Sequence, residues 1–293
     1  MKFSLILATL NRTGEVDYLL KTLDRQTYRN FELIVVDQNA DDRLVPILEP
    51  YQNSFPILHL RSAKGLSLAR NVALPRISGD LVAFPDDDCA YPAALLEQVV
   101  HFFKDHTEWN GLIGRAIDEQ GTDSSGRWDH ETGAINALNA WRRGTSFTIF
   151  LRRSTVDAIG LFDESLGVGA QTPWGSGEDI DYLLRGVKAG LYYDPAFTVI
   201  HPITVILPEA VLSPPVKSTI SHTKTYAYAM GRGRVLRKHN APLWFVIYNW
   251  TRPLAGVTLS LLRGRLQEAR SHWATFQGRV QGWLGWAKMD VSS

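Results

Sequence analysis

Along the first third of the chain, apolar residues alternate between short continuous runs and helical spacing. Phe3 to Leu10 is the first run. One lysine precedes it and no small-residue cleavage site lies before Asn11-Arg12, so it reads as a buried strand and not as a signal peptide. Val16, Leu19, Leu20 and Leu23 then recur at helical spacing within Gly14 to Gln26. Phe31 to Val36 is a β-branched run that stops at Asp37, Arg43 to about Tyr51 is again helical, and Ile57, Leu58 and Leu60 mark a third strand. Leu66 to Ile77 reads as helix and Asp80 to Phe84 as a fourth strand. Strands and helices alternating on short connections predict an α/β fold, with a mostly parallel sheet covered on both faces.

Beyond this region the rhythm loosens. Residues 118–144 are rich in Gly and Asp and read as a surface excursion. A strand is predicted over Thr145 to Leu151, and a helix over Glu178 to Ala189 with Ile180, Leu183, Leu184 and Val187 on one face. Pro208, Pro214 and Pro215 punctuate a linker between a body of about 1–210, large enough for one substantial core, and a tail of 211–293. In the tail, Asn240 to Thr251 and Pro253 to Leu262 carry no charge, but Arg252 and Pro253 break the stretch, which falls short of a clean membrane span. Leu266, Ala269, Trp273, Phe276, Val280 and Trp283 follow at three- and four-residue spacing, with Arg265, Arg270, His272 and Arg279 largely off that stripe. Such a helix either packs on the body or lies in a membrane interface, and the second is the expectation here.

Composition narrows the class. At 293 residues, 45% hydrophobic and 21% charged, the chain is neither disordered, collagen-like nor a disulfide-stapled scaffold. The single Cys89 cannot form an internal disulfide, which favours a reducing compartment, and it reads as a small packed residue. The net charge of +1 conceals a split: residues 1–200 carry 19 Lys and Arg against 27 Asp and Glu, whereas residues 201–293 carry 12 against 3. Five of the nine tryptophans (Trp244, Trp250, Trp273, Trp283 and Trp286) lie in that basic tail, which suits an anionic membrane surface. Single-stranded nucleic acid also attracts basic and aromatic residues, but no nucleic-acid motif supports it, and none is expected as a partner.

Candidate chemistry follows the strands. Thr9 and Asn11 come after the first, Asp37 and Gln38 after the second, and Asp86-Asp87-Asp88 after the fourth. The carboxyl ends of parallel strands share one rim, where open α/β sheets bind ligands. In an extended backbone Asp86 and Asp88 face one side and Asp87 the other. Neighbouring carboxylates repel unless a cation lies between them. Mg²⁺ or Mn²⁺, held by one or two carboxylates and by phosphate oxygens of a substrate, is the natural partner.

The segments Leu7-Ala-Thr-Leu-Asn-Arg12, Glu32-Leu-Ile-Val-Val-Asp37, Gly65-Leu-Ser-Leu-Ala-Arg-Asn71, Gly79-Asp-Leu-Val-Ala-Phe-Pro-Asp-Asp-Asp88, Gly160-Leu-Phe-Asp163 and Gly177-Glu-Asp-Ile-Asp181 occur in that order, with Pro195 and His201 after them. As an ordered set over roughly two thirds of the chain, they resemble the inverting family 2 glycosyltransferases of the GT-A fold. The resemblance implies a Rossmann-like sheet, with a nucleotide-sugar half over about 1–110 and an acceptor half over about 111–210. It implies that Thr9, Asn11, Asp37 and Gln38 line the nucleoside pocket and that Arg70 meets the base or the diphosphate. Asp86 and Asp87 would approach the ribose and the metal shell, and Asp88 would ligate the Mn²⁺ or Mg²⁺ that bridges the diphosphate. Gln38 stands where the family usually has a second acidic residue; its amide both accepts and donates, so a base remains readable.

By the same resemblance His201, in Thr198-Val-Ile-His-Pro202, is a candidate third metal ligand. Asp179 matches the family's general base, and it lies in a first helical turn, where the helix dipole favours a carboxylate. Trp174 either stacks on a sugar or fills the core, and Glu178 and Asp181 orient this loop or the acceptor. Arg232 and Arg234, set among glycines in Tyr226-Ala-Tyr-Ala-Met-Gly-Arg-Gly-Arg234, either close over a donor or lipid diphosphate or form a membrane-proximal basic patch.

The expected activity is metal-dependent, inverting transfer of a sugar from a UDP- or dTDP-sugar to a hydroxyl of a saccharide or lipid-linked saccharide. The expected location is the cytoplasmic face of the plasma membrane, with the protein bound peripherally through its tail. Two alternatives stay open on the sequence alone. One is a nucleotidyltransferase acting on sugar phosphates, although no Gly-rich, Lys-bearing phosphate loop lies near the start. The other is a catalytically silent saccharide-binding or membrane-scaffold protein.

Overall fold

In the computed structural model, the apolar runs of the first third form the centre of one eight-stranded sheet. The structure describes residues 1–202 and 222–285; the linker with Pro208, Pro214 and Pro215, and Trp286, lie outside the described residues. In chain order the body holds β1 (Phe3–Thr9), α1 (Gly14–Asp24), β2 (Phe31–Asp37), α2 (Val45–Leu48), β3 (Ile57–Arg61), α3 (Leu66–Ala73) and β4 (Leu81–Ala83). There follow α4 (Leu95–Asp105), β5 (Gly111–Ile117), β6 (Gly133–Ala134), α5 (Ala140–Arg143), β7 (Ile149–Arg152), α6 (Arg153–Ile159), α7 (Glu178–Gly186) and β8 (Leu191–Ile200). The tail forms α8 (His222–Lys238), α9 (Leu243–Leu262) and α10 (Leu266–Leu284).

The strand order is β3-β2-β1-β4-β7-β5-β8-β6. β1 pairs in parallel with β2 and β4, and β2 with β3, so the four strands expected from the pattern form one parallel block. β7 runs antiparallel to β4 and β5, which makes the sheet mixed and still mostly parallel. Helices flank it, and α1 buries Val16, Leu19, Leu20 and Leu23, the residues whose spacing predicted it. α4, β5, α6 and β8 are elements that the pattern leaves unassigned, although Leu95, Leu96, Val99, Val100, Phe102 and Phe103 of α4 carry helical spacing and are buried.

Two expectations for the body need correction. Residues 118–144 are not simply a surface excursion: Trp128, Ile135, Ala140 and Trp141 are buried, and β6 within that region pairs with β8. Trp128 anchors the loop by donating its indole N–H to the Ser124 carbonyl at 2.6 Å. The strand predicted from Thr145 starts at Ile149, after a 3-10 turn over Ser146–Thr148.

The described chain divides into two compact units, one of Met1–Phe162 and Tyr182–Leu212, the other of Asp163–Asp181 and Ser213–Ser293. The sheet lies in the first. The second joins the loop before α7 to the three tail helices. Within it α8 and α10 approach closely at glycines: a Cβ on Gly282 would lie 2.0 Å from the Met230 carbonyl oxygen, and one on Gly233 would lie 2.3 Å from that of Arg279. The apolar stripe of α10 is accordingly divided. Gly278, Gly282 and Ala269 form the packed face, Trp283 meets Trp250 edge-on, and Leu266 and Trp273 are exposed. Arg279, expected on the polar side, lies inward instead. No described helix is long and apolar enough to cross a membrane.

At the amino ends of the central strands, Glu32 of β2 accepts hydrogen bonds from Ser4 Oγ at 2.6 Å, the Ser78 backbone N–H at 2.9 Å and Lys2 Nζ at 2.6 Å. Burial opposes its charge, but these donors outweigh burial and bring the carboxyl from 4.5 down to about 2. A carboxyl depressed in the folded state stabilises fully above its unfolded value, and the gain is lost as the pH falls towards the folded one. Glu32→Gln is therefore expected to lower stability by about 1.5–3 kcal/mol near neutral pH, the range for a hydrogen bond to a charged group. Denaturant unfolding near neutral pH and at about pH 3 checks this. The gap between wild type and variant narrows at the lower pH; a gap independent of pH contradicts the assignment.

Candidate active site

The parallel register places the predicted polar residues together. Thr9 of β1 lies beside Asp37 of β2, and Asp37 beside Arg61 of β3. Asp37 is wholly buried. It accepts from the backbone N–H and side-chain amide of Asn39 at 2.8 and 2.7 Å, and it meets His59 Nε2 at 3.1 Å and Arg61 Nη1 at 3.0 Å. Gln38 bridges two loops: its Oε1 accepts from the Gly65 N–H at 2.8 Å and its Nε2 reaches the Thr9 carbonyl at 3.4 Å. Asn11, at φ 60°, holds a left-handed turn that asparagine tolerates, and its N–H donates to Asn39 Oδ1 at 2.7 Å.

The acidic run leaves the end of β4. Asp86 and Asp88 converge with His201 at the end of β8, with ligating atoms all within 4.8 Å of one another. His201 Nε2 lies 2.9 Å from Asp88 Oδ1 and 4.0 Å from Asp86 Oδ2, and the imidazole stacks on Phe147 at 4.3 Å. Two carboxylates and an imidazole form a donor set that can hold a divalent ion, and the imidazole fits Mn²⁺ better than Mg²⁺, which takes oxygen ligands. Asp87 turns the other way and accepts from Thr9 Oγ1 at 2.7 Å, but the run is not extended as expected: Asp87 and Asp88 lie in a turn in which the Cys89 N–H donates to the Asp86 carbonyl at 3.3 Å.

Arg12, quoted within the first motif but given no role there, is the residue that sequence reasoning missed. Its Nη1 lies 2.6 Å from Asp87 Oδ1 and 2.5 Å from Asp88 Oδ2. Burial pushes the Asp87 carboxyl up to about 6, against the pull of Arg12 and Thr9 and with the push of the two neighbouring aspartates. Burial also pushes Asp88 up, but His201 and Arg12 outweigh it and bring that carboxyl down to about 2. Asp87 and Asp88 thus differ through their surroundings, with Asp88 held charged. Arg70, left open by its sequence between a site residue and a surface arginine, is buried on α3. It donates to Ser146 Oγ at 2.8 Å, approaches Asp86 Oδ1 at 3.4 Å and lies over the rings of Phe162 and Phe84.

The remaining predicted residues belong to the second unit. Asp179 is half-buried in the first turn of α7, where its Oδ1 accepts from the Ile180 N–H at 2.7 Å. The loop that carries it is tied to α8. Gly175 N–H donates to the Ala227 carbonyl at 3.1 Å, Ser176 Oγ donates to that of Tyr228 at 2.8 Å, and a Cβ on Gly231 would lie 2.1 Å from the Ser176 carbonyl oxygen. Asp181 is fully buried, and its Oδ1 takes Lys238 Nζ and His239 Nε2, both at 2.8 Å. These ion pairs tie the first turn of α7 to the end of α8. Glu178 is buried against Gly167, and one face of Trp174 is covered by Arg234 at 4.5 Å. Arg232 donates through Nε to Asn249 Oδ1 at 2.9 Å.

Residues 4–160 match the family described as glycosyl transferase family 2. An uncharacterized glycosyltransferase of Haemophilus influenzae is 29% identical over 202 residues, which take in 67% of this chain and 63% of that relative, so the chain spans less than two thirds of its length. The structure of Staphylococcus aureus TarS 1–349 in complex with UDP-GlcNAc is 18% identical, with a TM-score of 0.59 over 96% of this chain and 92% of that one. Mannosyltransferase PcManGT of Pyrobaculum calidifontis, in complex with GDP-Man and Mn²⁺, is 13% identical, with a TM-score of 0.62 over 98% of this chain and 88% of that one. At these identities the two structures establish a shared fold.

The donor set itself is open to test. Asp88→Ala and His201→Ala are each expected to weaken Mn²⁺ binding to the full chain by at least about tenfold. Isothermal titration with Mn²⁺ reads this directly, and wild-type affinity in both variants would show that the ion binds elsewhere.

Proposed function

The chain belongs to glycosyl transferase family 2, and from that premise we propose that it is a metal-dependent, inverting glycosyltransferase. Its donor is a nucleoside diphosphate sugar, UDP- or dTDP-linked, and its acceptor is the hydroxyl of a saccharide or lipid-linked saccharide. The observation that carries this reading is the convergence of Asp86, Asp88 and His201 at the carboxyl rim, next to the Thr9 and Asp37 register. Neighbours of the same fold bound to UDP-GlcNAc, and to GDP-Man with Mn²⁺, support the donor class and the metal. The family match and the intact acidic set favour sugar transfer over nucleotidyl transfer or silent binding.

On this reading the rim holds the nucleotide, with Gln38 fixing the Gly65 loop and Arg70 steadying Asp86. Asp86, Asp88 and His201 would hold a divalent ion, which when bound would supply Lewis-acid compensation for the charge on the departing diphosphate. Asp179 takes the proton of the acceptor hydroxyl as that oxygen attacks the anomeric carbon. The new carbon–oxygen bond forms on the face opposite the leaving group, and the old bond's electron pair leaves with the diphosphate. Asp181, clamped by Lys238 and His239, keeps the first turn of α7 in place and so positions Asp179.

The tail supports peripheral binding at the cytoplasmic membrane surface. Leu243, Trp244, Ile247, Tyr248, Leu259 and Leu262 are exposed on α9, and the exposed Arg263, Arg265 and Arg270 lie close in sequence. Apolar side chains on one helix face with arginines nearby suit an anionic interface.

Asp179→Asn is expected to lower transfer by about 10²-fold or more, the usual loss for a general base, with donor affinity unchanged. Transfer assayed beside donor titration checks it, and wild-type turnover would remove Asp179 from the role of base. Leu262→Glu is expected to reduce sedimentation with vesicles containing anionic lipid while leaving transfer to a soluble acceptor intact. Equal sedimentation of variant and wild type would contradict the membrane face.

A further inference from the structure

The loop after β5 brings a serine hydroxyl to the imidazole of the candidate metal set. Ser125 Oγ lies 2.7 Å from His201 Nδ1, while Nε2 of the same ring faces Asp88 Oδ1 at 2.9 Å and Asp86 Oδ2 at 4.0 Å. The rest of His201 is held as well. Its N–H donates to the Ile117 carbonyl at 2.8 Å, its own carbonyl accepts from Ser124 Oγ, and Phe147 stacks on the ring with the planes 13° apart. These contacts fix the backbone and the plane of the ring, but they do not choose between its two faces. A half turn about the Cβ–Cγ bond keeps the stack and exchanges each nitrogen with a carbon. Only the Ser125 hydroxyl, which needs a nitrogen opposite it, separates the two orientations.

The backbone at this serine is unusual. Ser125 has φ 58°, in the left-handed region that crowds a Cβ. The other described non-glycine residues with positive φ, Asn11 and Asn240, are asparagines, which tolerate it. Glycine at position 125 would relieve the crowding and remove the hydroxyl together. The turn is imposed by its neighbours: the Trp128 indole donates to the Ser124 carbonyl at 2.6 Å, the Ser124 N–H donates to the Ala116 carbonyl at 3.1 Å, and Asp123 pairs with Arg115 of β5. A strained position that is held from both sides points to use of its side chain.

We infer that Ser125 is a positioning residue of the divalent-ion site, whose hydroxyl holds the His201 imidazole with Nε2 turned to Asp86 and Asp88. The inference rests on the reading of those three residues as metal ligands. A hydroxyl suits the task because it both accepts and donates. It accepts from Nδ1–H when the Nε2 lone pair is given to an ion, and it donates to Nδ1 when Nε2 carries the proton towards Asp88. Ser125 therefore acts on the share of the binding that the imidazole supplies and leaves that of the carboxylates alone.

Isothermal titration of Mn²⁺ into the full chain tests this with two variants. Ser125→Gly removes the hydroxyl from a backbone that glycine adopts freely, and Ser125→Ala removes it while keeping the Cβ. Both are expected to bind Mn²⁺ about tenfold more weakly than wild type. In a His201→Ala background, neither change weakens binding further, because the group that the serine acts through is gone. Wild-type affinity in both variants overturns the inference. A loss confined to Ser125→Gly assigns the effect to loop flexibility, and a further loss in the His201→Ala background shows a route that bypasses the imidazole; either result also overturns it. If His201→Ala itself binds Mn²⁺ as wild type does, the reading of the metal ligands fails, and the inference falls with it.

Discussion

Three consecutive carboxylates at the end of a buried strand cannot remain charged without cations beside them, and much of the first unit is arranged around that constraint. Two unit charges about 4 Å apart repel by about 4 kcal/mol at an effective dielectric constant of about 20. The chain meets Asp86, Asp87 and Asp88 with Arg70, Arg12 and His201, which arrive from α3, from the turn after β1 and from the end of β8. These segments are far apart in sequence, so the cluster exists only if β1, β4 and β8 hold their places in the sheet. The outcome is a graded site, with Asp88 held charged by His201 and Arg12 and Asp87 pushed towards its neutral form.

The second unit solves a different problem, that of holding a carboxylate still on a loop rich in glycine. Gly231 lets α8 approach the Ser176 backbone, and Lys238 and His239 reach Asp181 from the end of the same helix. The loop is thereby fixed at both ends, by backbone contacts before α7 and by ion pairs within its first turn. A helix that holds the Asp179 loop in this way belongs to the packed architecture of its unit. The basic tail, set apart by the charge split, takes part in the architecture of the candidate catalytic loop.

How much of this was legible depends on the range of the interaction. Thr9, Asp37 and the Asp86–Asp88 run were readable because a strand's carboxyl end is a local feature and parallel strands share a rim. The partners of these residues were not, because the places of Arg12, His59 and Arg61 follow from strand order, which no local spacing encodes. Arg70 could be read as a surface arginine until Phe84 and Phe162 enclosed it. Arg279 was sorted outward by the rule that charge faces solvent; Gly278 and Gly282 set the packed face of α10 instead and carried it inward. The Gly278–Gly282 spacing was the available signal, and a pattern built on apolar residues gives glycine no weight.

The account rests on direct displacement at the anomeric carbon, with the base on one side and the diphosphate leaving from the other. Proton NMR of the first product formed from an α-linked nucleotide sugar, recorded before any equilibration, tests that geometry most directly. A β-linked product is the predicted result, and an α-linked product would contradict the account.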